Sequence, residues 1–296
     1  MRDRASAAAK VRRWQVGRVK VTQIVESSGA SPPAFLFAGL TTGRVQSHGW
    51  LRPHFASEDG RLLASIHCFV VESQRRRIIV DTCVGNDKAR AVGAWNRQRL
   101  PFLADLEAAG FAPDTVDTVL CTHMHTDHVG WNTRLEGGRW LPTFPKASYL
   151  FSGAEYAHWR SAGDAEDREV LADSVQPIVD AGLADWVASD HAITDEVRLE
   201  PTPGHTPGHV SVRILSAGAE AVITGDLMHH PIQCCDPSIG SRFDVDAGQA
   251  LQTRLRFLRE QADRDVLVLG THFAPPTAGR VVSDGAAWRF AVSSGE

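Results

Sequence analysis

The sequence THMHTDHVG, residues 122–130, places three histidines and one aspartate within six consecutive positions, just after an apolar run typical of a strand. Histidine and aspartate are poor core residues, so the stretch is either a solvated turn or a group of ligands. A strand that ends in a turn directs alternate side chains toward one point. Imidazole nitrogens and a carboxylate oxygen suit Zn²⁺ or another borderline divalent cation.

The motifs together offer more ligands than one ion requires. A single ion needs about four ligands, and the companion motifs below add to the supply. We therefore expect two neighbouring ions, with His123 and His125 serving one, and Asp127 and His128 the other.

Three further motifs each follow a strand-like run. PTPGHTPGH brackets His205 with two Pro-Gly pairs, ITGD ends at Asp226, and LVLGTHF places His272 just past a strand end. Each is weak alone, because a tight loop or a single strand-end histidine is usually structural. Together with the first motif they mark four strand ends, which we expect to converge on one edge of a sheet sandwich.

The rest of the chain predicts an α/β domain. Residues 16–26 alternate as a strand, and residues 65–73 and 76–82 are two apolar runs expected to form a hairpin. Helical patterns cover residues 100–111, 165–183 with a break near Pro177, and 246–263 with Asp246 as N-cap. Another helix is predicted after Ser152, with Glu155 completing a capping box. We expect a flexible tail at residues 1–15, one domain at 16–296 and a helical insertion at 152–184.

Composition and charge narrow the class of protein. The net charge of −4 among 296 residues gives no basic surface for nucleic acid. No apolar run reaches the roughly 20 residues of a membrane span, and the basic N-terminus lacks a signal-peptide core. Five scattered cysteines without a framework pattern favour a reducing compartment. We expect a cytoplasmic protein with a small-molecule substrate and no nucleic acid or membrane partner, and a homodimer is a candidate assembly.

The order THMHTDHVG, TPGHTPGH, TGD and GTH resembles the metallo-β-lactamase-fold hydrolase superfamily over roughly residues 16–290. The resemblance implies an αββα sandwich with a dinuclear site at one edge and a helical insertion near it. Carried over residue by residue, His123, His125 and His205 would bind one metal. Asp127, His128 and His272 would bind the second, and Asp226 would bridge the two.

Within the superfamily, the chain is most similar to the branch of acyl-homoserine lactonases and methyl parathion hydrolase. VDTCVGNDK resembles an early VDTG motif, with Cys83 where glycine is usual, and Asp81 would orient a ligand histidine. EYAHW resembles an aromatic stretch that lines the organophosphate enzyme's pocket, which points to Trp159. The best-known lactonases place a tyrosine three residues after the bridging aspartate, whereas this chain has His229.

The resemblance implies a hydrolytic mechanism. Two cations would lower the pKa of a shared water, so that a bridging hydroxide attacks the substrate at neutral pH. Asp127 would bind its metal and orient the hydroxide, and His229 would contact the leaving group. His209 is expected to support the site without binding metal. Three aromatic residues are candidates for an apolar pocket wall, although ordinary core packing explains each equally well: Trp159, Tyr156 and Phe102.

These observations favour a small, largely apolar ester as substrate, foremost a lactone of the acyl-homoserine type. One alternative is an organophosphate or aryl ester, as for methyl parathion hydrolase. Another is an iron-dependent redox enzyme on the same fold, such as a persulfide dioxygenase. Retention of both Asp127 and His128 argues against its mononuclear site. Zn²⁺ is the expected metal, and Mn²⁺, Co²⁺ and Fe²⁺ accept the same ligands.

Overall fold

Two β-sheets form the centre of the molecule in the computed structural model, which describes residues 11–292. The first sheet has the order β1-β2-β3-β4-β5-β8-β9. Its strands are Val11–Val16, Val19–Ser31, Leu62–Ser73, Arg76–Val80, Thr118–Leu120, Ser148–Ser152 and Ala184–Val187. The second sheet runs in sequence order from β10 to β15. Its strands are Val197–Pro201, Val210–Ser216, Ala219–Ile223, Val266–Leu269, Ala278–Asp284 and Ala287–Val292. A separate hairpin pairs β6, Thr133–Glu136, with β7, Arg139–Pro142.

The helices are connecting or covering elements. In chain order, α1 to α9 are Pro33–Leu36, Thr42–Gln46, Phe102–Ala108, Thr126–Val129, Gly153–Ala162, Ala165–Val170, Gln176–Asp180, Ile232–Cys235 and Ala247–Gln261. A π-helical segment, Leu171–Val175, joins α6 to α7. Single 3-10 turns cover Gly49–Leu51, Pro113–Thr115, Gly130–Asn132 and Gly225–Leu227. None of the helices within residues 11–292 has the length and hydropathy of a membrane span.

Three hydrophobic layers follow from the two-residue period of the strands. On β3, Phe69 and Val71 pack between the sheets, whereas Cys68 and Val70 pack toward the helices on the outer face. On β12, Ile223 faces the other sheet, and Val222 faces the layer that contains α9. Helices therefore cover the outer faces of two sheets packed on each other, which confirms the expected αββα sandwich.

The N-terminal boundary predicted from the sequence is wrong. Residues 11–15 belong to β1 and pair with β2, and a turn at Gly17 separates the two strands where we expected one. The proposed tail at residues 1–10 lies outside the described residues. The hairpin of β3 and β4 is confirmed, as is the break near Pro177, where π-helix separates α6 from α7.

The helix ends give one confirmation and one correction. Asp246 caps α9, because its side chain accepts the backbone N–H of Gln249 at 2.9 Å. The capping box predicted at Ser152 is wrong, because the Ser152 side chain makes no cap hydrogen bond. The Glu155 carboxylate is buried and serves tertiary contacts instead, as described below.

The helical insertion is held by buried charges. Arg90 donates two hydrogen bonds of 2.8 Å to the Asp173 carboxylate, and Lys88 Nζ lies 3.3 Å from the same group. Lys88 Nζ also donates to Thr133 at 2.8 Å and lies 3.9 Å from the centre of the Trp140 ring. Since a buried charge is costly without partners, these contacts connect the insertion firmly to the loop after β4 and to the β6–β7 hairpin.

The turn that carries THMHTDHVG packs tightly against the loop after β4. Gly130 N donates to Cys83 O at 2.7 Å, and Thr82 N donates to His128 O at 2.7 Å. A Cβ added at Gly130 would lie 1.9 Å from Val84 O. Only glycine allows this approach, which sets the position of the histidine-bearing turn.

We predict that Gly130→Ala lowers the free energy of unfolding by about 2 kcal/mol, because the methyl group forces two backbone segments apart. Denaturant unfolding of the purified protein measures the effect. The control is Gly43→Ala in α2, where an added Cβ meets nothing within 4 Å. A destabilisation at Gly130 no larger than at Gly43 would contradict the packing described above.

Candidate dinuclear metal centre

Seven histidine and aspartate side chains lie together at one edge of the sandwich. The turn after β5 and the start of α4 present four of them, the β10–β11 loop presents one, and the turns after β12 and β13 present one each. They are His123, His125, Asp127, His128, His205, Asp226 and His272. Strands β12 and β13 run parallel, as do β4, β5 and β8, so that each group of strands ends at a common edge.

The first group of ligand atoms surrounds one point. His125 Nδ1 lies 3.1 Å from His123 Nε2 and 2.9 Å from His205 Nε2. Asp226 Oδ2 lies 3.8 Å from His123 Nε2 and 3.5 Å from His205 Nε2. Three nitrogens and one carboxylate oxygen within 4.8 Å of one another form a donor set for a tetrahedral divalent ion.

The second group shares the same aspartate. His272 Nε2 lies 3.2 Å from His128 Nε2, and the two Asp127 oxygens lie 3.7 Å from His128 Nε2 and 3.6 Å from His272 Nε2. Asp226 Oδ1 lies 3.1 Å from His272 Nε2, and Asp226 Oδ2 lies 3.4 Å from His128 Nε2. Asp226 is therefore the side chain that contacts both groups.

The hydrogen bonds behind the histidines favour cation binding. His205 Nδ1 lies 2.9 Å from Asp244 Oδ1, and His272 Nδ1 lies 3.2 Å from Ser65 O. His128 Nδ1 lies 3.0 Å from Asp81 Oδ2. The Asp244 and Ser65 acceptors hold a proton on Nδ1 of His205 and His272, which leaves their Nε2 atoms directed at the centre of the cluster. Asp81 is a close anionic neighbour of His128 Nδ1 but makes no hydrogen bond to it. Lone pairs about 3 Å apart repel one another unless a cation lies between them, so these residues fit a metal centre.

Burial sets the charge of the first group. It lowers the pKa of His123 and His205 well below the usual value and lowers the pKa of His125 to about 4, so these rings are neutral at pH 7. A neutral imidazole is the form that binds a metal.

The second group has the opposite electrostatics. Burial disfavours the charged form of His128 and His272, but nearby carboxylates, Asp226 above all, outweigh it and raise the pKa of both rings. Burial likewise disfavours ionised Asp226, but the histidines around it hold its pKa well below the usual range. Asp226 is thus an anion at neutral pH, and a cation bound here would displace the protons from His128 and His272.

His209 and Asp81 lie behind the cluster. His209 Nε2 accepts the backbone N–H of Asp226 at 2.7 Å, and its Nδ1 lies 3.0 Å from Thr202 O. Asp81 accepts the backbone N–H of Thr122 at 2.8 Å in addition to its contact with His128. Both residues therefore orient the cluster without supplying ligand atoms to it.

His229 lies inside the cluster. Its Nε2 is 3.2 Å from Asp226 Oδ2, and its ring stacks on His272 with a centroid separation of 5.8 Å. The side chain is buried, and its Nδ1 has no hydrogen-bond partner among residues 11–292. The ring lines the cavity described next, so an imidazole with proton-transfer capacity faces the space beside the cluster.

A cavity of about 800 Å³ opens above the cluster. His125, Asp127, His205, Asp226, His229 and His272 line its base. Its walls are mainly apolar and include Phe35, Leu36, Ile66, Trp95 and Phe243. Phe35 and Phe243 form an edge-to-face pair at 6.2 Å, and both are partly exposed, at 36% and 43%.

The three aromatic residues expected in the pocket wall do not line this cavity. Phe102 is buried and stacks on Trp131 at 5.7 Å, and Tyr156 packs on Trp186 while its hydroxyl donates to Gln176. Trp159 lies beside His125 at 5.1 Å but is buried, with Nε1 donating to Glu155. The expectation of a pocket wall is wrong for these residues, because each finds a packing partner in the core.

Two further residues support the site and carry no sequence signal of their own. Asp244 holds His205 from a loop 39 residues further along the chain, and its buried carboxylate also accepts Ser241 N at 2.9 Å and lies 3.6 Å from Arg254. Glu155 connects the two histidine loops, because it accepts the backbone N–H groups of Met124 at 3.3 Å and Gly208 at 2.7 Å.

The chain is similar to proteins of known sequence and structure. A stretch of 161 residues, half of this chain, is 26% identical to an N-acyl homoserine lactonase of a Bacillus species and covers 58% of that relative. The corresponding lactonase of Bacillus thuringiensis is 24% identical over 55% of this chain, and the match covers 64% of it. The chain thus matches about six-tenths of the length of these relatives.

Solved structures share the fold. Hydrolase AbOPH of the beta-lactamase superfamily superposes with a TM-score of 0.80 at 22% identity, over 97% of this chain and 98% of that one. AidC, a dizinc quorum-quenching lactonase in complex with a product, gives a TM-score of 0.79 at 19% identity over the same shares.

The family model of the metallo-beta-lactamase superfamily matches residues 63–272, more than half of the chain, and this range contains all seven clustered residues. The chain therefore belongs to the metallo-beta-lactamase superfamily.

Proposed function

We propose that this protein is a dinuclear metal-dependent hydrolase that opens a small, largely apolar ester, foremost a lactone of the acyl-homoserine type. The observation that carries the proposal is the pair of ligand groups that share Asp226 at the base of an apolar cavity. The Bacillus relatives named N-acyl homoserine lactonases support the choice of a lactone.

In this proposal each group holds one divalent cation, and zinc is the expected metal. His123, His125 and His205 would bind the first, Asp127, His128 and His272 would bind the second, and Asp226 would be shared by both. Imidazole and carboxylate ligands in this number suit zinc, and the dizinc lactonase with the same fold supports the assignment.

Two bound cations supply a hydroxide nucleophile at neutral pH and a Lewis acid for the carbonyl oxygen. Asp226 holds the two ligand groups next to each other. Asp127, which lines the cavity, orients the attacking oxygen. His229 Nε2 donates a proton to the leaving alkoxide, since the ring faces the cavity beside Asp226. The apolar walls exclude water around the acyl tail.

The cytoplasmic location, the homodimer and the lack of nucleic-acid or membrane partners stay predictions. All five cysteines are unpaired, which supports a reducing compartment. Organophosphate or aryl ester hydrolysis and iron-dependent redox chemistry are the alternatives to be separated by the experiments that follow.

We predict that zinc-loaded protein hydrolyses short- and long-chain homoserine lactones with higher kcat/KM than aryl esters, a phosphotriester or a β-lactam. Asp226→Ala should lower kcat/KM by at least about a hundredfold, because both ligand groups lose their shared carboxylate. The control is Asp236→Ala, which removes a carboxylate that pairs with Arg44 and belongs neither to the ligand groups nor to the cavity lining. A β-lactam preference, or full activity of Asp226→Ala, would contradict the proposal.

We predict that His229→Ala lowers kcat by about a hundredfold and leaves two metal ions per chain, because the variant loses a proton donor and no ligand. Steady-state kinetics and elemental analysis measure the two quantities. His229→Tyr should restore part of kcat, since a phenol also donates a proton. If His229→Ala loses one ion, the residue is a ligand and its assignment as proton donor is wrong.

We predict that Asp244→Asn weakens binding of the first metal ion by about tenfold, because Asn no longer holds the proton on His205 Nδ1 as strongly. Competition with a chromophoric chelator measures the affinity. Asp246→Asn is the matched control in the same loop, because asparagine caps α9 as well as aspartate does. Equal metal affinities of the two variants would contradict the positioning role of Asp244.

A further inference from the structure

We infer that the cavity selects substrates by charge: it accepts uncharged or cationic tails and discriminates against tails that end in a carboxylate. This inference rests on the proposed hydrolysis of lactones and concerns the part of the substrate away from the reacting carbonyl. The structural basis is an acidic wall in the cavity lining, formed by Asp164, Glu166 and Asp167 at the start of α6.

The acidic wall belongs to the same site as the metal cluster. All three carboxylate residues line the cavity that contains His125, Asp127 and Asp226, and the buried Asp226 Oδ1 there makes no hydrogen bond within the described part of the chain. Helix α6 also packs against α4, the helix that carries Asp127. A tail that leaves the cluster through this cavity therefore passes near α6.

Backbone contacts fix the acidic wall in place. Asp164 Oδ1 accepts the N–H groups of Glu166 at 2.7 Å and Asp167 at 3.1 Å, and Asp167 Oδ2 accepts Asp164 N at 2.9 Å. Glu166 Oε1 accepts Ala91 N at 2.9 Å, which ties α6 to the loop on the neighbouring wall. Burial raises the pKa of Asp167, so the experiment below depends mainly on Glu166.

No cation balances this wall. Among the described residues that line the cavity there is no lysine or arginine, and within residues 11–292 these three carboxylates form no ion pair with a basic side chain. The nearby Arg90 is buried against Asp173, and Arg168 donates to Gly163 O at 2.8 Å. No described lysine or arginine side chain therefore neutralises the wall, and the backbone N–H groups at the start of α6 and at Ala91 compensate its charge only in part.

The cations of the centre do not remove this selectivity. Asp127 and Asp226 would neutralise about half of the charge that two divalent cations bring, and the remaining positive charge acts on the ester at the base. The tail extends away from that centre. A terminal carboxylate then lies between apolar walls and the acidic wall, where desolvation and like-charge repulsion both disfavour it.

The test compares three homoserine lactones with acyl chains of one length that end in a methyl ester, a carboxylate or a trimethylammonium group. With zinc-loaded protein, we expect kcat/KM for the carboxylate to be about tenfold below that for the methyl ester, and the ammonium compound to react at least as fast as the ester. Raising the ionic strength from about 0.05 M to about 0.5 M should reduce the differences.

Variants of α6 identify the source of the selectivity. Glu166→Gln should reduce the discrimination against the carboxylate about twofold, and Asp164→Asn/Glu166→Gln/Asp167→Asn should remove most of it. Glu169→Gln is the matched control, because this exposed residue lies on the same helix outside the cavity lining and changes the net charge equally.

The results that would contradict the charge inference differ from the result that would contradict the proposed function. Equal kcat/KM for the three lactones in the unchanged protein would overturn the charge inference and leave the proposed lactonase function intact. An equal effect of Glu166→Gln and Glu169→Gln would also overturn it, because the selectivity would then follow net charge. If none of the three lactones is hydrolysed, the proposed function itself is wrong, and the inference fails with it.

Discussion

The Asp226 carboxylate is the contact on which the candidate site depends. Its two oxygens lie within 3.8 Å of imidazole nitrogens from both ligand groups, and Oδ1 is buried without a hydrogen bond to any other described residue. The Asp226 anion alone stabilises the surrounding histidines only in part, because their Nε2 lone pairs point into the same space. Divalent cations are the groups that would satisfy both kinds of ligand at once.

A second layer of contacts makes this arrangement possible. Asp244 and the Ser65 carbonyl hold protons on the outer nitrogens of His205 and His272, Asp81 lies beside His128, and His209 accepts the backbone N–H of Asp226. Each of these partners comes from a different segment of the chain. The site therefore depends on the packing of the whole sandwich, and the close approach at Gly130 belongs to the same framework.

The cavity joins two kinds of wall above this centre. Phe35 and Phe243 give an apolar surface open to solvent, while α6 contributes carboxylates beside the turn that carries Asp127. Under the proposed function, the apolar area favours the tail of a lactone substrate, and the carboxylates select among tails by charge. In the proposed enzyme, binding of the reacting ester and selection of its tail thus arise from different elements.

The sequence by itself determined the sandwich and the seven clustered residues. Strand patterns have a strict period of two, and the ends of parallel strands must meet at one edge, so local motifs such as THMHTDHVG predict a shared site. The capping box at Glu155 and the pocket role of Phe102 were wrong, because buried tertiary partners outweighed local preference. Asp244 and Phe243 were not found, since nothing in their local sequence marks them. Only the tertiary structure decided which distant loops line the cavity and support the histidines, because those contacts depend on how separate segments pack.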